Sequence, residues 1–376
     1  MKFTLKKTSK DTLARLGEIE TPHGTIDTPI FMPVGTVGTV KGVFPETLVS
    51  QIKAQIILGN TYHLYLRPGL DTLRQAGGLH PFMQWDGPIL TDSGGYQVYS
   101  LAKRRTISEE GVEFQSHIDG SRHLFTPESV IDIQRGIGSD IMMVLDECPP
   151  ADATFDYAKS SNELTLRWAA RCKQRLEVTS SEYGNHQSLF AIVQGVAFHD
   201  IRRDSALRLV DMDFPGYAIG GLSVGEPAEV MYEVVERVTP NLPTEKPRYL
   251  MGVGTPANLL ENIRRGIDMF DCVMPTRNGR NGMLFTTKGI LNIRNAKWTQ
   301  DQSPIDPGLN NSVSSVFSKS YLRHLFISGE LLGLQIASIQ NLSFYHDLMH
   351  KARKAIAEDR YSEFVSETVP IVSRRL

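Results

Sequence analysis

The sequence has few cysteines, and none of them are close together. Cys148, Cys172 and Cys272 are the three cysteines among 376 residues, and they form no C-x-x-C pair. Disulfide frameworks and thiolate metal sites both need several cysteines at short intervals. The spacing therefore argues against both, and we expect reduced thiols.

Long apolar runs are also missing. The chain contains no stretch of about 20 uninterrupted apolar residues, which is the length that a membrane-spanning helix needs. Residues 1–10 are polar and basic, without the apolar segment of an export signal. We therefore expect a cytoplasmic protein that makes no membrane contact.

A dominant charge of one sign is missing as well. The formal net charge is -2 at pH 7, so any affinity for nucleic acid must come from local basic clusters. Each such cluster, taken alone, is more often a solvated surface than a phosphate site. The clusters are Lys103-Arg104-Arg105, Arg202-Arg203, Arg264-Arg265, and Arg277 with Arg280.

The chain does contain a repeated alternation of short apolar runs and longer helical stretches. Helical spacing occurs, for example, at residues 126–138, 157–176 and 256–266. This order predicts the α/β class, with buried parallel strands joined by crossover helices. The runs end in a polar or glycine-rich step, and they cover residues 29–35, 55–60, 88–95, 140–147, 189–195, 216–224, 249–254 and 269–276.

Eight such runs favour an irregular (β/α)8, TIM-like barrel. An open doubly wound sheet is the alternative, although no G-x-G-x-x-G motif opens the first βα turn. Residues 4–28 predict an N-terminal β hairpin that caps one end. Residues from about 286 to 340 predict an inserted C-terminal subdomain, and residues 342–376 a final helical segment on the barrel. Residues 1–376 then form a single barrel enzyme.

Polar residues follow the predicted strands at the end where barrels of this kind carry their active sites. Asp271 stands inside an apolar run, so its carboxylate needs a partner, a cavity or a raised pKa, and a structural salt bridge is the alternative. Asp92, in the segment TDSGG, is open to a second interpretation as a helix cap. Paired acids at one rim fit glycosyl transfer or hydrolysis. The strand-end residues are Asp92, Asp146, Gln194, Gly220, Gly221, Met251, Gly252 and Asp271.

Six segments together closely resemble the bacterial queuine tRNA-ribosyltransferase family, also called tRNA-guanine transglycosylase. The resemblance implies replacement of guanine at the wobble position of tRNAs with a G-U-N anticodon by a 7-deazaguanine, in queuosine biosynthesis. The matching segments are ILGNTYHLYLRPG (57–69), ILTDSGGYQVYSL (89–101), EEGVEFQSHIDGSRH (109–123), GYAIGGLSVGE (216–226), YLMGVGTP (249–256) and MFDCVMPTRNGRNG (269–282).

The resemblance also implies roles for the site residues. Asp271 matches the nucleophile that attacks C1′ of the ribose and forms a covalent intermediate, and Asp92 matches the general acid/base. Asp146 matches the reader of the N1–H and exocyclic amine. Further substrate-binding residues are the donors to the purine carbonyl (Gln194 and the Gly221 amide), the residues that sandwich the base (Tyr96 and Met251), the carbonyl that meets the deazaguanine substituent (Leu222), and Ser93, Gly94, Gly95 and Gly220.

Two further segments match tRNA contacts in the family. The near-neutral total charge of the chain is compatible with tRNA binding if Arg264, Arg265, Arg277 and Arg280 share one face. The predicted tRNA-binding residues are these arginines, a loop of Thr276, Arg277, Asn278, Gly279 and Arg280, and a second loop of Gly252, Val253, Gly254, Thr255, Pro256, Ala257 and Asn258.

The chain departs from the family where most members carry a structural zinc. The positions that match three cysteines and a histidine are here Leu309, Asn311, Ser314 and Gln340, which offer neither thiolate nor imidazole. We therefore expect no zinc, no other metal and no cofactor. The family usually forms a homodimer, which is the expected assembly.

Cys148 and Val224 resemble members that insert 7-aminomethyl-7-deazaguanine, so this base is favoured and queuine is the alternative. Two other functions compete. A non-catalytic tRNA-binding subunit would lack the two aspartates, which this chain has. A barrel glycosidase would leave the segments TRNGR and TDSGGY without a role.

Overall fold

The computed structural model describes residues 1–101, 105–309 and 311–376. Its strands are β1 (Lys2–Thr8), β2 (Arg15–Thr21), β3 (Gly24–Thr28), β4 (Ile30–Met32), β5 (Ile57–Asn60), β6 (Ile89–Asp92), β7 (Arg105–Ile107), β8 (Val112–Gln115), β9 (Arg122–Phe125), β10 (Ile141–Met143), β11 (Ser188–Val193), β12 (Gly216–Ile219), β13 (Arg248–Leu250), β14 (Met269–Asp271), β15 (Met283–Thr286) and β16 (Gly289–Asn292).

The helices of this part of the chain alternate with most of the strands. They are α1 (Pro45–Thr47), α2 (Thr61–Leu66), α3 (Leu70–Gln75), α4 (Leu79–Met83), α5 (Gly95–Leu101), α6 (Pro127–Ile137), α7 (Phe155–Val178), α8 (His199–Asp211), α9 (Ala228–Val238), α10 (Pro256–Arg264), α11 (Met274–Arg280), α12 (Lys319–Ser328), α13 (Leu331–Ala357) and α14 (Tyr361–Ser373). Among the described residues, no helix is both long and apolar enough to cross a membrane.

Eight parallel strands form the central sheet, in the order β4-β14-β13-β12-β11-β10-β6-β5. Its two edges meet, because the Gly35 N–H donates to the Leu58 carbonyl at 2.7 Å and the Leu58 N–H donates to the Pro33 carbonyl at 2.9 Å. The sheet is therefore a TIM-like barrel, as predicted, and the open doubly wound alternative is wrong. Each of the eight predicted runs contributes one barrel strand.

Local sequence explains where the crossover helices begin and end. Thr126 caps α6 by accepting from the Ser129 N–H at 3.1 Å, and Pro127 follows in the first turn. Gly138, with a φ of 86°, ends the helix in the left-handed conformation. Strands such as β11 and β12 are buried along their whole length, as expected for parallel strands covered on both faces.

Three antiparallel strands, β1-β2-β3, close the amino end of the barrel instead of the predicted two-stranded hairpin. A register shift between Leu5 and Lys7 interrupts the alternation of β1, which explains why the sequence did not reveal it as a separate strand. Arg15 ties this sheet to the barrel through a buried ion pair with Asp268. A second small sheet, β7-β8-β9, was not predicted, because β7 and β9 are largely exposed and the alternation of β8, with Val112 and Phe114 buried, covers only four residues.

The C-terminal region combines a small subdomain with the last helices of the barrel. Strands β15 and β16 form a hairpin, and α12 packs with them in a separate apolar core that includes Leu284, Leu291 and Leu322. Helix α13 runs without a break across the boundary that the sequence suggested near residue 341. It packs on the barrel through Tyr345, whose ring lies 4.8 Å from that of Phe31.

Candidate active site at the carboxyl ends of the barrel strands

Asp271 ends strand β14 at the carboxyl-end rim of the barrel. The Tyr249 hydroxyl donates to its Oδ1 atom at 2.6 Å, and the Gly252 backbone N–H donates to the same oxygen at 2.8 Å. Burial raises the pKa of this carboxyl, and the two hydrogen bonds oppose that rise. No cation of the described residues pairs with it, so Asp271 is not part of a salt bridge and its Oδ2 atom faces no protein donor.

Asp92 ends strand β6 at the same rim. Asn60 Nδ2 donates to its Oδ2 atom at 2.5 Å, and the Thr61 N–H donates to its Oδ1 atom at 3.0 Å. Burial raises the pKa of Asp92 to about 7, and the charge of Asp271 adds to the rise against the opposing hydrogen bonds. The two carboxyls therefore lie within electrostatic range of each other.

Two residues that hold these carboxyls were not identified from the sequence. Asn60 contacts Asp92, and its Oδ1 atom also accepts from the His63 N–H at 3.0 Å, so it caps helix α2 as well. A signal for it was present, because Asn60 ends the apolar run 55–60 just as Asp92 ends strand β6. Tyr249 carried no such signal, since a tyrosine inside an apolar run is most often a core residue.

A second group of polar side chains lies beside the carboxyl pair. Ser93 Oγ donates to Asp146 Oδ1 at 3.1 Å, and Gln194 Nε2 donates to Asp146 Oδ2 at 2.7 Å. Burial raises the pKa of Asp146 to about 6 despite these hydrogen bonds. The Oε1 atom of Gln194 is buried and has no partner among the described residues. This group therefore presents acceptors and an amide to a planar polar ligand.

Glycines bring backbone close to this group. A Cβ atom on Gly95 would lie 2.8 Å from the Asp146 carbonyl oxygen, and one on Gly221 would lie 2.5 Å from Gln194 Oε1. A Cβ atom on Gly220 would lie 2.7 Å from Ile192, and Gly94 has a φ of 79°. Side chains at these positions would fill the space beside Asp146 and Gln194, so the glycines keep the polar group accessible.

An open cavity of about 300 Å³ adjoins this group. Tyr96 and Cys148 line it, together with Asp152 and Val224. Leu222 is buried next to the Gly220–Gly221 turn, and Met251 is partly buried beside the Gly252 amide that contacts Asp271. The structure thus brings the predicted substrate-binding residues to one rim.

The predicted tRNA-binding loop 252–258 is only partly available to a ligand. Gly252 is exposed, whereas Val253, Gly254 and Pro256 are buried. Thr255 accepts from the Asn258 N–H at 3.2 Å as the cap of helix α10, and Ala257 is half-buried in its first turn. The predicted loop 276–280 lies in helix α11, with Thr276 and Gly279 buried and Arg277 exposed.

Three cations cluster at this rim. Burial and the neighbouring charge of Arg277 lower the pKa of Arg280. Burial and the charge of Arg280 likewise lower the pKa of Lys41, which follows strand β4 and was not identified from the sequence. Lys41, Arg277 and Arg280 thus lie close enough to influence one another, and Asn278 lies on the same helix as the two arginines.

Arg264 and Arg265 lie at the opposite end of the barrel, because helix α10 returns from the rim to the amino ends of the strands. Arg264 accepts from the Leu13 N–H at 3.0 Å through its carbonyl. Arg265 pairs with Glu261 at 2.8 Å. The condition that these residues share one face with Arg277 and Arg280 is therefore not met.

The other basic clusters differ in their surroundings. Arg202 is fully buried and contacts backbone carbonyls, so it cannot form a surface phosphate site together with exposed Arg203. Lys103 and Arg104 lie outside the described residues, and Arg105 begins strand β7.

The four positions that match the zinc ligands of most family members hold side chains that do not fit a zinc ion. Leu309 is buried and apolar. Asn311 Nδ2 donates to Ser314 Oγ at 2.8 Å, and Gln340 Nε2 donates to the Phe285 carbonyl at 2.9 Å. Because these groups are neutral and supply no thiolate or imidazole, the subdomain loop is stabilised by hydrogen bonds and packing.

One cluster among the described residues places metal-ligand atoms within 4.8 Å of one another. His23 Nδ1 lies 2.7 Å from Asp140 Oδ1, and His80 Nε2 lies 3.2 Å from Asp140 Oδ2. The imidazole rings stack at 3.7 Å, and the Ile89 N–H also donates to the carboxylate. The cluster lies at the amino end of the barrel, and its hydrogen bonds already satisfy the carboxylate, so it joins the terminal sheet to the barrel.

Comparison with known proteins gives one consistent family. The family model described as "Queuine tRNA-ribosyltransferase" matches residues 10–372. A protein of that name from Ruminiclostridium cellulolyticum is 56% identical over 365 residues, covering 97% of this chain and 96% of that protein. One from Caldanaerobacter subterraneus subsp. tengcongensis is 55% identical over 367 residues, covering 98% and 96%. One from Actinobacillus succinogenes is 55% identical over 371 residues, with the same coverage.

Proposed function

The chain belongs to the queuine tRNA-ribosyltransferase family, and from this premise we propose that it exchanges guanine for a 7-deazaguanine at the wobble position of tRNAs with a G-U-N anticodon. The enzyme is a transferase of the tRNA-guanine transglycosylase type. The observation that carries this proposal is the pair of carboxyls at one rim, buried Asp92 and half-buried Asp271, beside the polar group of Asp146 and Gln194.

In the first half-reaction, an oxygen of Asp271 attacks C1′ of the ribose. The C1′–N9 bond breaks, its electron pair moves to the guanine ring, and the proton of Asp92 neutralises the departing base. Tyr249 and Gly252 hold Oδ1 of Asp271, which favours ionised Asp271 and leaves Oδ2 to form the ester bond. The raised pKa of Asp92 keeps its proton available near neutral pH.

In the second half-reaction, Asp92 acts as a base and accepts a proton. Once Asp271 is an ester, its negative charge is gone, so one cause of the raised pKa of Asp92 is removed. The ionised Asp92 then accepts the ring N–H proton of the incoming base. The base displaces Asp271 from C1′, and two displacements retain the original configuration.

Base recognition is assigned to the polar group beside the carboxyl pair. Asp146 accepts from the N1–H and exocyclic amine of a guanine-like base, for which a carboxylate with two oxygens is suited. Gln194 and the Gly221 N–H donate to the purine carbonyl, and Tyr96 and Met251 cover the ring faces. The exposed position of Tyr96 at the cavity supports this role.

The favoured incoming base is 7-aminomethyl-7-deazaguanine. Cys148 and Val224 line the cavity next to the base group, where a substituent at the 7-position extends past Leu222. Queuine is the alternative base. Offering both bases to the enzyme with unmodified tRNA and measuring kcat/KM for each decides between them, and a larger value for queuine contradicts this assignment.

The proposed assembly is a homodimer without zinc. The subdomain exposes several large apolar side chains, Val316, Tyr321, Ile327 and Leu331, which is typical of a surface that another chain covers. Light scattering that gives the mass of a monomer contradicts the dimer. Elemental analysis of the purified protein that gives one zinc per chain contradicts the proposal that the subdomain binds no zinc.

The direct test of the proposed function uses labelled guanine. The purified protein is incubated with unmodified tRNA that has a G-U-N anticodon, and label in the tRNA is measured. We expect incorporation that is lost when the wobble guanosine is replaced by adenosine. Absence of label in the first tRNA contradicts the proposed function.

A further inference from the structure

Arg202 is a fully buried cation that has no role in the reaction steps proposed above. It lies in the first turns of helix α8, and its side chain reaches beneath the ends of strands β11 and β12. Its donors contact four backbone carbonyls, and no carboxylate of the described residues pairs with it. The contacts are Nε to Val196 at 2.8 Å, Nη1 to Val193 at 2.8 Å, Nη1 to Gly220 at 2.7 Å, and Nη2 to Gly221 at 3.4 Å.

A buried cation without an anionic partner is costly, so its position needs a reason. Helix α8 does not supply one, because a positive charge near the amino end of a helix opposes the helix dipole. Arg202 also holds the carbonyl of Val196, which has a φ of 54°. That conformation is strained for a β-branched residue and persists where the surroundings enforce it.

The contact with Gly220 determines where the next N–H points. In a trans peptide the carbonyl of one residue and the N–H of the following residue point in opposite directions. Arg202 Nη1 binds the Gly220 carbonyl from beneath the strands, so the Gly221 N–H is directed to the opposite side of this peptide, away from Arg202. The Gly220 N–H is fixed as well, because it donates to the Val193 carbonyl at 3.1 Å.

We propose that Arg202 is a positioning residue for the base site, which turns the Gly221 N–H toward the purine carbonyl and adds positive potential behind it. This inference rests on the proposed function. Negative charge develops on the guanine ring, including its carbonyl oxygen, when the C1′–N9 bond breaks. An oriented N–H group with a cation behind it stabilises that charge more than it stabilises the bound neutral base.

The test compares two bases that differ at this carbonyl. Guanine has the oxygen that the Gly221 N–H contacts, whereas 2-aminopurine lacks both this oxygen and the N1–H, so each variant is compared with the wild type separately for each base. For Arg202→Met we expect the inhibition constant of guanine against labelled-base incorporation to rise about 10- to 100-fold, and that of 2-aminopurine to change less than about 3-fold. Adduct formation in a single turnover, in which guanine leaves, is expected to slow about 100-fold.

Two further variants keep the test decisive. Arg202→Lys retains the charge with fewer donors, and we expect it to keep part of the wild-type preference for guanine over 2-aminopurine. This variant tests the proposal even if Arg202→Met fails to fold. Arg208→Met is the matched control on the same helix, because Arg208 pairs with Glu163 at the surface, and we expect the wild-type preference.

The outcomes separate this inference from the proposed function. If the wild-type protein incorporates no guanine into tRNA, the proposed function fails. If the wild type is active and both Arg202 variants weaken guanine and 2-aminopurine equally, Arg202 only supports the local fold, and the inference is overturned.

Discussion

The two ends of the barrel bury the same type of side chain for different purposes. At the amino end, Asp140 contacts two histidines and Asp268 pairs with Arg15. At the carboxyl end, Asp92 and Asp271 are held by neutral donors alone. The pKa of Asp140 is lowered by the hydrogen bonds from His80 and His23, which outweigh burial, whereas burial raises the pKa of Asp92 to about 7.

This difference shows that the partners of a buried carboxylate indicate its role better than its burial does. A carboxylate that is bound by a guanidinium, as Asp268 is, or by two imidazoles, as Asp140 is, stays ionised and joins segments of the fold. A carboxylate with neutral donors keeps a pKa near the working pH and can exchange a proton or attack a substrate. Substitutions at either end of the barrel test this division between structural and chemical roles.

The largest effect is expected for Asp271→Asn. The amide cannot form the ester with C1′, so guanine exchange should fall by at least about 10³-fold, and no covalent tRNA adduct should form. The measurement is a denaturing gel with labelled tRNA. Asp268→Asn, at the other end of the same strand, is the matched control and should retain the adduct. An adduct in Asp271→Asn places the nucleophile elsewhere.

The next effect concerns the pH dependence of the two half-reactions. Adduct formation needs protonated Asp92, so its single-turnover rate should decrease as pH rises through about 7. Displacement of the adduct by an added base needs ionised Asp92, so its rate should decrease as pH falls, with a midpoint below 7 because Asp271 is then uncharged. Asp92→Asn should remove both dependences and slow exchange by about 10²- to 10⁴-fold. Parallel pH profiles for the two steps contradict the assigned roles.

At the amino end, Asp268→Asn should reduce stability and spare chemistry. The substitution leaves the buried guanidinium of Arg15 without its counter-charge, which should lower the free energy of unfolding by about 3 kcal/mol. Urea unfolding measures the loss. Asp213→Asn is the control, because Asp213 is exposed and pairs with Lys246 at the surface, and its effect should be below about 1 kcal/mol. A loss of kcat/KM with unchanged stability would show that Asp268 serves the reaction and not the fold.

Asp140→Asn should give a smaller and pH-dependent loss of stability. Because the folded-state pKa of Asp140 is lowered, its ionisation stabilises the fold at pH values above its ordinary pKa, and this contribution is lost as pH falls through the folded-state pKa. The difference in Tm between wild type and variant should therefore be present at pH 7 and shrink in acid. A difference that grows in acid contradicts the lowered pKa.

The smallest effect is expected from a metal chelator. The subdomain lacks zinc ligands, and Asp306 stabilises it by accepting from the Thr287 N–H at 2.7 Å and from the Thr287 hydroxyl at 2.6 Å. Incubation with a strong chelator should therefore leave Tm unchanged. A clear decrease in Tm, reversed by zinc, contradicts the zinc-free subdomain.

The sequence predicted the barrel because parallel strands buried on both faces leave continuous apolar runs. The same runs located Asp92, Asp146 and Asp271, since a carboxylate that ends such a run lies at the rim. Strands β7 and β9 were missed because exposed strands carry little apolar pattern, and β8 was missed because its alternation covers only four residues. The condition that Arg264 and Arg265 share one face with Arg277 and Arg280 is not met, because Arg264 and Arg265 end a crossover helix, and such a helix ends at the amino end of the barrel.

Other features depend on contacts between distant segments. Tyr249 and Lys41 meet the site through tertiary packing, and neither has a distinctive position in the chain. Arg202 looked like part of a surface cluster, because its neighbour Arg203 is also basic and only the fold shows that its side chain is buried. Helix α13 spans the suggested subdomain boundary because the subdomain core buries its amino-terminal part, residues 334–339, and the barrel core buries the following part, residues 342–356.

The most direct test is to identify the residue that carries the covalent bond to tRNA. The enzyme is mixed with unmodified tRNA, quenched with denaturant and digested with protease and nuclease, and the modified peptide is sequenced by mass spectrometry. We predict a ribonucleotide attached to Asp271. Attachment to Asp92, or to any residue at the amino end of the barrel, would contradict the division of roles between the two ends.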